Sequence, residues 1–96
     1  MRPALVIQND VGNRRAPTVI VAAVSTTHRA MPQHVLIEPE DVTRVSTQDR
    51  GLSRPSEVKA HQILTISKER LRARMGLLSE ARMNEVDRAL RLSLSL

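Results

Sequence analysis

Up to about residue 66 the apolar positions come in short, β-branched runs separated by turn formers, and beyond it they recur at helical spacing. Ala4 to Gln8 is the first such run, closed by a stretch rich in Asn, Asp, Gly and Pro that ends at Pro17. Thr18 to Val24 is nearly all apolar, which predicts a strand covered on both faces at the centre of a sheet, with Ser25, Thr26 and Thr27 closing it. After a basic turn from His28 to Pro32, Gln33 to Glu38 predicts another strand, stopped by Pro39 and the acidic Glu40 and Asp41. Val42 to Pro55 is polar, poorly periodic and mostly loop. Glu57 to Ile66 alternates loosely, as a strand does when its two faces meet different surroundings.

The last third changes period. Ser67 is placed to cap a short helix with Glu69 in its first turn, Leu71 and Met75 on one face and Gly76 as its stop. Ser79 is placed to cap a second helix, in which Leu78 and Met83 occupy staple positions, Met83, Val86 and Leu90 share a face, and Asp87 and Arg91 are spaced for an ion pair. The segment from Leu92 to Leu96 reads equally as helix end or alternating strand. Strands followed by helices, without the alternation of a parallel sheet, predict a mainly β domain: a small antiparallel sheet or barrel with a C-terminal helix packed on it.

Composition narrows the chemistry. Ninety-six residues make one domain, small enough to gain stability from a second copy. There is no Cys, which removes disulfides, thiol nucleophiles and Cys-type zinc sites, and no Phe, Trp or Tyr, so the core is built from Val, Leu, Ile, Ala and Met. No apolar run approaches a membrane span, and a cytoplasmic protein is expected. The net charge is +5, and of the 15 basic residues only Lys59 and Lys68 are not Arg. Guanidinium groups are always charged and grip phosphate through paired hydrogen bonds, so this surface suits a polyanion.

Glycine-rich phosphate cradles are absent, since Gly12, Gly51 and Gly76 stand alone. His28, His34 and His61 lack close ligand spacing, Glu38, Glu40 and Asp41 surround a Pro in a turn, and no metal or other cofactor is expected. No nucleophile elbow accompanies the serines. RNA cleavage by the substrate's own 2′-hydroxyl needs neither metal nor thiol, because the protein only orients the chain, moves protons and stabilises charge on phosphorus.

The residues also carry a family resemblance. Arg2 to Asn13 (RPALVIQNDVGN), Pro17 to Ser25 (PTVIVAAVS), Pro32 to Val35 (PQHV), His61 to Leu71 (HQILTISKERL) and Val86 to Leu94 (VDRALRLSL) resemble, in order, the MazF/PemK-type toxins of bacterial toxin–antitoxin pairs. The resemblance implies a strongly curved antiparallel barrel of the MazF/CcdB-like type. It also implies a homodimer, metal-independent endoribonuclease activity on single-stranded RNA at short motifs, and neutralisation by a small antitoxin lying over the RNA groove. Carried across, the family's catalytic pair falls on Arg2 and Ser25. The RNA site takes in Gln62, with Thr26, Asn13, Arg14 and His61 as further RNA-binding candidates. Arg2 does not readily lose a proton, so it stabilises charge rather than acting as base. Where the family more often carries an acidic residue, this chain has His61, whose imidazole exchanges protons near neutral pH.

The family's opening strand, of the Gly-Asp-Val-Tyr or Gly-Asp-Ile-Trp type, and its following loop do not precede Arg2. The expectation is therefore a single domain over 1–96 lacking that strand and loop, with weakened catalysis. Two alternatives to a ribonuclease follow: a dimerising, antitoxin-binding module with little activity, and a gyrase poison of the same architecture.

Overall fold

The computed structural model describes residues 3–7, 16–27, 29, 31–71 and 73–95. Its main sheet has four antiparallel strands in the order β1 (Ala4–Val6), β2 (Thr18–Ser25), β5 (Ser56–Ser67) and β3 (His34–Ile37). A two-stranded ladder joins β4 (Val42–Thr43) to β6 (Leu77–Leu78), and α1 (Glu80–Leu94) packs on β3 and β5. The expected mainly β fold with a C-terminal helix is what forms.

The apolar run of β2 makes it the inner strand between β1 and β5. Val19, Val21, Ala22 and Val24 are buried, whereas Ile20 is 38% exposed, so coverage on both faces is incomplete. The core joins Ala22 and Val24 to Val35 and Ile37 of β3, Val58 and Ala60 of β5, and Val86 and Ala89 of α1. Small and β-branched side chains fill the space between sheet and helix without an aromatic ring.

The β2–β5 pairing is interrupted once. Ala22 faces Ile63 and Ala23 faces Lys59, so Ala60, His61 and Gln62 have no opposite residue on β2. Such an insertion bends its strand and re-aims side chains. The Ala60 N–H fixes it from the other side by donating to the Gln33 carbonyl at 2.9 Å.

Ser79 caps α1 as expected, its Oγ accepting from the Arg82 N–H at 3.3 Å. The helix start is tied to the preceding turn, because the Asp41 carbonyl accepts from the Ser79 N–H at 2.7 Å and the Asp41 carboxylate from Arg82 Nε at 2.9 Å. Helix continues through Leu94, and Ser95 closes it in the left-handed region at φ 57°. That resolves Leu92 to Ser95 as helix end, and Leu96 falls outside the described residues. Asp87 and Arg91 form no ion pair; Arg82 pairs with Glu85 instead.

One expected helix shrinks to a turn. Ser67 does cap, with its Oγ accepting from the Glu69 N–H at 3.3 Å, but only Lys68–Arg70 forms a single 3₁₀ turn. The chain beyond is drawn out because the Arg74 and Met75 carbonyls accept from the Arg50 and Gly51 N–H groups at 3.1 and 2.7 Å. Leu71 and Met75 therefore share no helical face. Gly76 leads into β6 rather than stopping a helix, with φ +145° and the Thr43 carbonyl where a Cβ would stand.

Candidate nucleic-acid interface

Ser25 is the last residue of β2, half-buried, and faces Glu57 at the start of β5. Its Oγ accepts from the Thr27 N–H at 3.1 Å, and Thr26 between them is exposed. The neighbouring Val24 N–H donates to the Pro3 carbonyl at 3.3 Å, so the leading end of β1 lies against the closing end of β2. Arg2, Asn13 and Arg14 fall outside the described residues.

His61 and Gln62 both sit in the β5 insertion, and both are exposed. Leaving the β2 ladder frees their side chains from the in-and-out alternation that a paired strand imposes. Loose alternation in the sequence was the trace of this break.

Beneath His61 lies a pair that spacing along the sequence did not reveal. His34 opens β3 with its side chain only 3% exposed, and its Nδ1–H donates both to Glu57 Oε1 at 3.1 Å and to the Arg29 carbonyl at 3.0 Å. Glu57 Oε1 also accepts the Arg29 N–H at 2.9 Å, which helps to satisfy a carboxylate whose side chain is 11% exposed. The His34 and His61 rings stack with centroids 5.0 Å apart and 11° between planes. Twenty-three residues separate His34 from Glu57, and only the β3–β5 register brings them together.

A second polar centre lies in the loop leading to β5. Asp49 is 3% exposed and accepts from the Val45 and Ser46 N–H groups and from Arg74, while its carbonyl accepts from Arg44 Nε at 2.7 Å. The Arg74 guanidinium, against the opposing effect of burial, holds the Asp49 carboxyl at about 2, with the Ser46 and Val45 N–H groups adding to it. Arg44, Arg50, Arg54 and Arg74 are exposed around this one buried carboxylate. The loop runs into Ser56, next to the Glu57 that faces Ser25, so Arg54, two residues before β5, lies near the Ser25 end of the sheet.

Between β3 and α1 is a groove of about 340 Å³ bordered by Pro32, His34, Leu36, Arg82, Arg88 and Leu92. Among the described residues no three His, Asp or Glu side chains gather as a metal site, and no helix is long and apolar enough to cross a membrane.

Comparison with known proteins agrees with this fold. Residues 1–94 match the family of PemK-like, MazF-like toxins of type II toxin–antitoxin systems. The chain is 41% identical over 98 residues to "Endoribonuclease MazF" of Staphylococcus epidermidis, covering 100% of this chain and 75% of that protein. In fold it resembles "Mycobacterium tuberculosis toxin MazF-mt6", with a TM-score of 0.83 and 24% identity over 99% of this chain and 87% of that one. It also resembles an "Endoribonuclease in complex with its cognate antitoxin from Mycobacterial species", with a TM-score of 0.77 and 27% identity over 99% of this chain and 82% of that one. The chain belongs to the PemK-like, MazF-like toxin family of type II toxin–antitoxin systems.

Proposed function

We propose that this chain is an endoribonuclease toxin that cleaves single-stranded RNA without a metal ion, through Arg2 and Ser25. The observation carrying this reading is the match along the whole chain to an endoribonuclease of the family. At the meeting of β1 and β2 the Pro3 carbonyl takes the Val24 N–H, so Ser25, which follows Val24, stands at the leading end of β1. In the reaction the 2′-oxygen bonds to phosphorus and the bond to the 5′-oxygen breaks, leaving a cyclic phosphate and a 5′-hydroxyl. The proton lost from the 2′-hydroxyl is balanced by one gained at the leaving oxygen. Arg2 stabilises the charge gathering on the phosphoryl oxygens, and the Ser25 hydroxyl donates to one of them.

Thr26, Gln62, His61, Asn13 and Arg14 line the RNA path in this reading, and the exposed arginines near the Asp49 loop extend it. Residues 1–96 belong to one toxin domain that works as a homodimer, acting in the cytoplasm and neutralised by a small cognate antitoxin. A structural relative captured with its antitoxin supports that last partner. Whole-chain similarity to an endoribonuclease favours catalysis over a weakly active binding module.

The test is cleavage of a single-stranded RNA library in EDTA. Arg2→Ala and Ser25→Ala are each expected to slow it about 100- to 1,000-fold. Unchanged rates in both variants would remove the residue assignment, and no cleavage by the parent chain would remove the activity.

A further inference from the structure

With no Phe, Tyr or Trp anywhere in the chain, only histidine rings and guanidinium planes are left to stack on an unpaired base. We propose that the outer face of the His61 ring is a stacking platform for one RNA base, and that the buried His34–Glu57 pair is the support that holds it in place. This rests on the ribonuclease reading and adds to it a specific mode of base contact.

Three observations carry the proposal. His61 is exposed, yet one face of its ring lies nearly parallel on His34 at 5.0 Å, which leaves the opposite face turned outward. His34 cannot turn without breaking both Nδ1–H bonds, to Glu57 Oε1 and to the Arg29 carbonyl. The insertion carrying His61 is itself pinned by the Ala60 N–H on the Gln33 carbonyl. A ring fixed in this way gives up little conformational freedom when a base settles on it.

Its position suits the substrate. His61 lies four residues along β5 from Glu57, which faces Ser25, and at about 3.3 Å per residue the two lie no more than about 13 Å apart along the strand. A base near the scissile phosphate therefore falls within reach of the ring. Stacking asks nothing of the imidazole's protons, so a ring that carries none serves equally well.

The proposal is tested by fluorescence anisotropy on the full chain with three uncleavable octamers: all-2′-O-methyl oligoadenylate, all-2′-O-methyl oligouridylate, and an abasic sugar–phosphate chain of the same length. The parent chain is expected to prefer oligoadenylate over the abasic octamer, with oligouridylate between them. His61→Ala is expected to shrink that preference by about 5- to 150-fold, the effect of losing one stacked base. His61→Phe is expected to restore it, which a proton-transfer role for the imidazole does not predict. Circular dichroism on both variants confirms that exchange of this exposed residue leaves the fold intact. An equal preference in the parent and His61→Ala overturns the proposal, as does a His61→Phe variant that behaves like His61→Ala. If the parent cleaves RNA and the preference survives His61→Ala, the platform alone is wrong. If the parent binds none of the octamers, the platform is wrong, and the ribonuclease reading falls with it only where the parent also cleaves no RNA.

Discussion

Arg74 closes on Asp49 with two donors, Nε to Oδ1 at 2.9 Å and Nη2 to Oδ2 at 3.2 Å. The bidentate pair ties the segment leading to β6 to the loop leading to β5. It lowers the Asp49 carboxyl from its ordinary 3.8 to about 2. A carboxyl depressed on folding contributes stability that is fully present above its unfolded value and is lost as pH falls through the folded one. Thermal unfolding followed from pH 7 down to pH 2 is therefore expected to show a falling Tm below about pH 4. Asp49→Asn should lower Tm at pH 7 and flatten that fall. An unaltered acid slope would show that the pair does not control it.

Gly76 offers a sharper test of local geometry. At φ +145°, with the Thr43 carbonyl in the path of a Cβ, Gly76→Ala forces the β4–β6 ladder to shift. Chemical denaturation is expected to show a loss of about 1–3 kcal/mol. A loss within 0.5 kcal/mol, roughly that of an ordinary surface exchange, would contradict the crowding.

The basic surface around the Asp49 loop predicts a salt response. Arg50 and Arg54 are exposed and neither side chain is engaged in an ion pair among the described residues. If each meets a phosphate, replacing both by Ala should weaken RNA binding and make the slope of log affinity against log salt shallower by about 1.4, at about 0.7 per phosphate on a single strand. A slope that does not move would place the RNA elsewhere.

Legibility in the sequence followed the range of the interactions. Thr18 to Val24 was readable as an inner strand because its apolar run needs cover, and Ser79 as a cap because the donor it satisfies is three residues away. Ser67 gave an equally good cap signal, yet its helix stopped after one turn because residues 74 and 75 hydrogen-bond to residues 50 and 51, a pairing that no local pattern announces. The same holds at the interface. Ser25 and Gln62 are proposed from contiguous family motifs, whereas His34, Glu57 and Arg29 meet only after β3 docks on β5.

The three-residue insertion in β5 has a consequence for how such a chain diversifies. Val58 and Leu64 keep their partners on β2 whatever occupies positions 61 and 62, so exchanges there escape the register constraint that governs the rest of the strand. The fold thereby separates the residues that must match a partner across the ladder from two that need not, and new recognition properties can arise at those two without the sheet having to be rebuilt.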